Sequence, residues 1–481
     1  MKLINPLIIL RILSIILLIA SITFLLCIPV ALIYNEPLFP FLWSSLAAFI
    51  TYGIFRLVSF KADTVRITTR EGFLAVTLSW LVFTLIGSLP YIISGSIPSF
   101  INAWFESTSG YSTTGASILT EVEVLPYSIL FYRSLSHWIG GLGIIVLVII
   151  ILPSLKVSGY QLFSLESSIK EKIHPKTQAV GIRVLIIYLG LTFAEVIMLW
   201  LGDMTFFDSL CHSFGTIATG GFSTKNNSLQ FYSDYSQYVV MTFMFLAGIS
   251  QVVYYYLLKF NLKKVRQNEE LWFYFTIVFI AGVFATLILF STSGRSLEDA
   301  FRNGYFQVIS ILTCTGFASD DYLLWPAAGS LLIFILMFSG GMTGSTSGGI
   351  KMARHLIVLK NIKNTLLRMV HPKALASIKL NGRLVTDSLN NTILTFIFLY
   401  IFIFIIGTVI VVITGIDPVS SASSVATCMA GIGPGLGTVG PMNNYAHLPD
   451  VSKVVLSLLM IIGRLEIITA FALFSKSFWK I

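Results

Sequence analysis

The sequence predicts an all-α polytopic membrane protein, and three observations carry that fold class. The 481-residue chain is 56% hydrophobic and only 11% charged, too little charge to cover a water-soluble body of this size. Apolar runs long enough to cross a hydrocarbon core recur from one end to the other. Between them stand four half-length apolar segments, each followed by a turn rich in threonine and glycine.

The long runs lie near 8–34, 41–58, 72–95, 126–153, 184–202, 235–258, 271–291, 327–339, 387–415 and 454–475. The first follows Lys2 and Arg11 as a signal peptide would. It exceeds the roughly 7–15 apolar residues of such a core and carries no A-x-A site, so it reads as a retained span. Of the 31 basic residues, 25 fall in the alternate segments 1–11, 56–70, 154–183, 259–266, 351–383 and 476–480. That asymmetry predicts a cytoplasmic N-terminus and explains the net charge of +9 without nucleic acid. Cys27, Cys211, Cys314 and Cys428 form no C-x-x-C pair and read as small buried residues.

The half-length segments are Ile101 to Ser112, Thr205 to Ile217, Asp299 to Leu312 and Pro418 to Ala430. Helices of that length reach only about 20 Å, which suits re-entrant helices on the outer side. Asp417-Pro418 and Ser296 to Asp299 supply helix-start chemistry for two of them. The turns that follow are Thr113-Thr114-Gly115, Ala218-Thr219-Gly220, Cys314-Thr315-Gly316 and Gly431-Ile432-Gly433. Their glycines are spaced by 105, 96 and 117 residues, an internal fourfold repeat.

Irregular backbone at membrane depth survives only where it is buried in protein or lines a wet cavity. Glycine tolerates positive φ, so a turn centred on it can aim successive carbonyls one way. Four such turns around an axis make oxygen rings able to replace the hydration shell of a monovalent cation. The helix C-termini pointing inward would favour cations too. A divalent cation would need carboxylates, and the turns carry none. The competing reading is close helix packing through small residues, which four turns in register disfavour.

The four turns, the segment Gly340 to Arg354 (GGMTGSTSGGIKMAR) and Gly463 to Glu466 (GRLE) resemble the Trk/Ktr/HKT superfamily of potassium transporters, most of all its Trk-type pore subunits. The resemblance covers nearly the whole chain. It implies four M1-P-M2 repeats, potassium-channel-like, around a central pore, preceded by an extra N-terminal pair of transmembrane helices. The chain then divides into a helix pair at 1–68 and repeats at 69–160, 161–266, 267–383 and 384–481. It also implies a homodimer in the bacterial inner membrane and a cytosolic nucleotide-binding gating ring of the TrkA-like, RCK type. Glycine at all four filter positions, here Gly115, Gly220, Gly316 and Gly433, goes in that family with potassium rather than sodium. Potassium is the expected ion at the twelve turn residues, and the nucleotide is expected on the regulatory subunit. Ile432 and Pro434 depart from the other turns and predict a filter looser than a fourfold-symmetric one.

The second span of the third repeat is interrupted by 338–349, which holds five glycines among serines and threonines. Such a segment cannot remain helical in lipid and must line a wet cavity. Gly340, Gly341, Gly344, Ser345, Thr346, Ser347, Gly348 and Gly349 are read as a movable constriction beneath the filter. Gly349-Ile350-Lys351 lacks the Gly-Lys-Ser/Thr of a phosphate loop, and no strand precedes it. A hydrolase with Ser345 or Ser347 as nucleophile would need a base, and none of the six histidines is identifiable beside them. Arg464, in mid-span, costs about 2.5–3.5 kcal/mol to insert and must face the protein interior. It reads either as a positive charge at the constriction or as half of a structural pair, although Glu466 would face another side of the helix.

Glu195 is the other buried ionisable residue, with a structural hydrogen bond favoured over proton coupling. Glu121, Glu123, Asp320 and Asp321 follow filter turns and either enrich cations at the mouth or sit in solvated loops. The basic segments 154–183 and 351–383 suit anionic headgroups or a gating ring equally. A carrier with inverted repeats is disfavoured because all four repeats enter from one side. A sodium-permeable or ion-coupled symporter of the same architecture remains the alternative.

Overall fold

The computed structural model describes residues 4–62, 68–146, 176–292, 294–374, 377–465 and 467–479. Among them the chain is mostly helical, and the one sheet is a two-stranded hairpin, Lys379–Leu380 with Arg383–Leu384. Six helices are long and apolar enough to cross a bilayer, seven when one bent pair counts as a span. The chain is therefore a multi-pass membrane protein.

Helix Pro6–Leu25 begins at Asn5, whose side chain accepts from the Leu7 N–H, and packs along Phe39–Val58. The hydroxyls of Ser21 and Ser45 meet at 2.8 Å between them, a polar contact suited to helices whose flanks face lipid. The outward side chains of this pair are apolar, including Trp43 and Leu57. Helix Thr69–Gly87 packs on the first helix and opens with a complete capping box between Thr68 and Glu71. Glu71 also accepts from the Asn5 N–H, which ties the two helix starts together.

All four half-length segments are helices: Phe100–Tyr111, Phe206–Ile217, Leu297–Leu312 and Pro418–Ala430. Ser296 and Asp417 cap the third and fourth as their sequences predict, accepting from Asp299 and Ser420. Hydrogen bonds from the Ser420 hydroxyl and backbone hold the Asp417 carboxyl below the usual aspartate range. Thr205 caps the second by accepting from Asp208. Each such cap is worth about 1 kcal/mol. The first short helix starts at Ser99 with no side-chain cap bond.

Two long runs fold otherwise than as single helices. The run 235–258 divides into Asp234–Ala247 and Gln251–Leu258, bent by 95° at Gly248 to Ser250. The run 454–475 divides into Asp450–Arg464 and Ile467–Ala472. The run 327–339 ends as a helix at Leu336, and helix resumes at Met352 and continues to Val370. The helix beginning at Tyr127 is described to Val146, so the remainder of its run and the basic residues 154–175 lie outside the described residues. Helix Asp387–Ile413 closes the body against the fourth short helix and turns a side carrying Phe398 and Ile405 outward. All four cysteines are buried and free.

Candidate functional site

The four turns share one backbone. Each short helix ends in a residue at left-handed φ: Thr113 at 54°, Thr219 at 54°, Cys314 at 59° and Gly431 at 75°. The next N–H reaches back to the fifth carbonyl before it: Thr114 to Ser109 at 2.9 Å, Gly220 to Gly215 at 2.7 Å, Thr315 to Ser310 at 2.8 Å and Ile432 to Thr427 at 2.9 Å. This is the Schellman ending, which uses up the last helical carbonyls. Then comes a glycine at positive φ: Gly115 at 81°, Gly221 at 79°, Gly316 at 81° and Gly433 at 95°.

The pattern corrects the reading of the second turn by one residue. Dihedrals and hydrogen bonds place Thr219, Gly220 and Gly221 in the positions of Thr113, Thr114 and Gly115, while Ala218 closes the preceding helix as Ser112 does. Two consecutive glycines made the register ambiguous in the sequence. The left-handed conformation at Thr113, Thr219 and Cys314 costs of order 1–3 kcal/mol each, strain of the kind that collects at functional sites.

The turns close into a ring. A Cβ on Gly115 would lie 2.1 Å from the Gly220 carbonyl oxygen, one on Gly221 2.1 Å from that of Thr315, and one on Gly316 1.8 Å from that of Ile432. The circuit is completed by Gly433, whose Cβ would lie 2.7 Å from the Thr114 oxygen. Each glycine therefore abuts the central carbonyl of the next turn, first to second to third to fourth to first. The carbonyls of 113–115, 219–221, 314–316, 431 and 432 accept no hydrogen bond from any described donor, whereas Gly433 O accepts from Tyr445 Oη at 2.7 Å. A buried carbonyl without a donor costs about 1–3 kcal/mol, so a ring of them is matched to a ligand that accepts their lone pairs. The fourth turn stands apart in its φ values and in its looser contact, as Ile432 and Pro434 suggest.

The interrupted segment lies directly against these turns. Thr346 Oγ1 donates to the last helical carbonyl of the second short helix, Ile217 O, at 3.1 Å. A Cβ on Gly348 would lie 1.9 Å from Ala430 O, at the end of the fourth. The Cys314 thiol, in the third turn, points to Ser339 O at 3.6 Å. Gly340 N–H donates to Ile350 O and Met352 N–H to Gly341 O, at 2.9 and 3.1 Å, so the loop is pinched at its base. The bend between Asp234–Ala247 and Gln251–Leu258 receives it: Met342 N–H donates to Gly248 O at 2.9 Å and Gln251 N–H to Gly344 O at 3.3 Å.

Three charged residues hold the loop. Arg464 Nη1 donates to Thr346 O at 2.8 Å, and no carboxylate among the described residues pairs with this guanidinium, Glu466 lying outside them. Fully buried Glu270 accepts from the N–H groups of Thr343 at 2.7 Å and Ala353 at 3.0 Å, joining the loop to the helix that follows it. The Lys351 ammonium donates to Ser347 O. Ser345 and Ser347 hydroxyls bond each other at 2.9 Å and the loop backbone, and among the described residues no histidine reaches them.

Behind the first two turns sits a buried ion pair that sequence reasoning missed. Arg133 Nε meets Glu106 Oε1 at 2.9 Å, both side chains almost wholly buried. Glu106 also accepts from Ser117 Oγ and the Ile118 N–H, just past the first turn. Arg133 continues across the seam to Ser223 O at 3.2 Å and lies over the Phe222 ring at 4.1 Å. The available signal was a lone glutamate within a short apolar helix and an arginine within a span.

Other sequence candidates resolve differently. Glu195 is fully buried, yet neither carboxyl oxygen has a hydrogen-bond partner among the described residues, and the Thr216 hydroxyl beside it donates to His212 O instead. Asp320 accepts from Arg295 and Trp325, both at 2.7 Å, and Asp321 caps Leu323, so these two brace loops. Glu123 accepts from the Asn226 N–H at 3.2 Å at the exposed rim, where Glu121 is also exposed.

A family model described as TrkH, a cation transport protein, matches residues 42–481. The Trk system potassium uptake protein TrkH of Escherichia coli (strain K12) is 37% identical over 419 residues, 86% of each chain. The protein of that name from Halomonas elongata is 33% identical over 480 residues, covering 98% of this chain and 99% of its own. The crystal structure of the potassium transporter TrkH from Vibrio parahaemolyticus superposes with a TM-score of 0.90 at 32% identity, over 99% of this chain and 100% of that one.

Proposed function

Because the chain belongs to the TrkH family of cation transport proteins, a family of ion transporters rather than enzymes, we propose that it takes potassium into the cell through the ring of four turns. The single observation that carries this reading is that ring, in which each glycine lies against the central carbonyl of the next turn. Potassium is the cargo, held in passing by the carbonyls of Thr113 to Gly115, Thr219 to Gly221, Cys314 to Gly316 and Gly431 to Gly433. Oxygen rings without carboxylates suit a monovalent ion that must leave as easily as it arrives.

In this reading the four groups of span, short helix, turn and span are M1-P-M2 repeats around one pore, and Pro6–Leu25 with Phe39–Val58 is the added N-terminal pair. The loop 338–349 is the gate. It occupies the space beneath the filter, and Arg464 sets a positive charge on it where a cation must pass. The protein works as a homodimer in the bacterial inner membrane with its N-terminus inside. A cytosolic TrkA-like ring that binds nucleotide docks on the basic surface around Met352–Val370 and moves the loop.

Flux of potassium, rubidium and sodium into liposomes, with and without the ring subunit and nucleotide, tests the proposal. Potassium and rubidium should enter in preference to sodium, faster with the ring present. Absence of any cation flux in its presence would overturn it.

A further inference from the structure

The second turn is the one quarter whose central residue has no side chain. The other three place Thr114, Thr315 and Ile432 there, each at most 1% exposed. At Gly220 the corresponding volume is filled from a neighbouring helix. A Cβ on Gly220 would lie 2.4 Å from Cγ and 2.6 Å from Cδ2 of His137, and it would meet nothing else so closely. Gly220 is not among the residues at positive φ, so the imidazole, not the backbone, is what excludes a side chain.

His137 is fully buried and bonded at both nitrogens. Nδ1 lies 2.7 Å from Gly110 O in the first short helix, and the Phe222 N–H lies 3.2 Å from Nε2, just past the second turn. A carbonyl can only accept and an amide N–H can only donate, so Nδ1 carries the proton and the ring is the neutral tautomer. One turn of helix away, Arg133 reaches Ser223 O, the next residue along the same strand of backbone. Helix Tyr127–Val146 thus grips the two residues that follow the second turn, Phe222 and Ser223, and the first short helix at two points, Glu106 and Gly110.

We propose that His137 is a specificity-determining positioning residue: its imidazole stands in for the side chain absent at Gly220 and, with Arg133, sets the aim of the second turn's carbonyls. This deepens the reading of the four turns as a potassium filter and rests on it. The seam between the first and second turns is then held by a side chain outside the filter, whereas the other turns carry their own filling residue.

The test is a compensation cycle on the full-length protein with Gly220→Thr, His137→Ala and the two combined, reading the potassium-to-sodium permeability ratio and the thermal midpoint. His137→Ala removes both of its hydrogen bonds and should lower the ratio at least about fivefold, the scale of a single lost hydrogen bond, and Gly220→Thr should lower it at least as much by collision with the imidazole. The double variant should recover toward the parent in both ratio and midpoint, because the new threonine fills the space the imidazole leaves. A His137→Ala variant with the parent ratio would overturn the proposal, and so would a double variant no better than the worse single one. If a single variant fails to assemble, its rescue in the double supports the same conclusion; failure of all three to assemble assigns His137 to folding alone and overturns it. The midpoint reads the steric exchange independently of transport, so a parent protein that carries no potassium would refute the filter reading while leaving the complementarity of His137 and Gly220 measurable.

Discussion

At the residue scale, the glycines of the ring are set by contact and by φ together. Gly115 has φ near 81° and no room for a Cβ against Gly220 O, so Gly115→Ser displaces the ring rather than decorating it. Potassium-to-sodium discrimination measured by reversal potentials should fall, while the helices away from the ring keep their packing. The corrected register makes a sharper statement: Gly221→Ala, at φ near 79° and 2.1 Å from Thr315 O, should be as damaging as Gly115→Ala. Equal selectivity of Gly221→Ala and the parent protein would refute that register. The Thr-Gly pair at 219–220 was visible in the sequence, but which of two adjacent glycines takes the left-handed conformation depends on where Phe206–Ile217 ends and what stands behind it. Arg464 belongs to this scale as well. Removing its charge from the loop by Arg464→Ala should speed potassium flux, and a slower or unfolded protein would assign it to structure instead.

At the scale of elements, the loop 338–349 is held by directed bonds to the helix ends and the bend around it rather than by helical hydrogen bonds of its own. Shortening it by part of Gly340 to Gly349 should raise conductance, and unchanged currents would sink its role as the gate. Glu270→Gln keeps the shape but exchanges a carboxylate that accepts two buried N–H bonds for a weaker neutral acceptor. Hydrogen bonds to charged groups are worth about 1.5–3 kcal/mol against about 1 for neutral ones, so the loop should loosen and basal flux without the ring should rise. A variant with parent flux and parent stability would show that the carboxylate charge does not hold the loop. The glycine-rich interruption was legible because its composition forbids a helix in lipid. The receiving bend at Gly248 to Ser250 was not, because the run 235–258 is hydrophobic enough as a whole to span, and Gly248 with the polar pair Ser250-Gln251 does not by itself break a helix. The break becomes intelligible only through Met342 N–H and Gly344 O, which occupy the groups the bend frees.

At the scale of the whole molecule, the distribution of basic residues predicts the side on which the proposed ring subunit would dock. Neutralising Lys363, Arg368 and Lys373 along and just beyond helix Met352–Val370, all exposed, should weaken co-purification with the ring subunit, and the binding that remains should depend less on salt, since exposed charges are screened within about 10 Å at 0.1 M. Retention of full binding would move the dock elsewhere. The sequence by itself determined the membrane class, the four short helices nearly to their ends, and the polar interruption at 338–349, because each follows from local rules: hydropathy over a bilayer's thickness, helix capping, and the conformational freedom of glycine. Only the tertiary structure decided the closure of the four turns into a ring, the register of the second, the seat of the loop, and the partners Glu106 with Arg133, His137 with Gly220, and Glu270 with the loop. Those depend on which buried groups meet across 27, 83 and 73 or more residues of chain, and in a low-dielectric interior each polar group must find its partner through the fold rather than in its neighbours along the sequence.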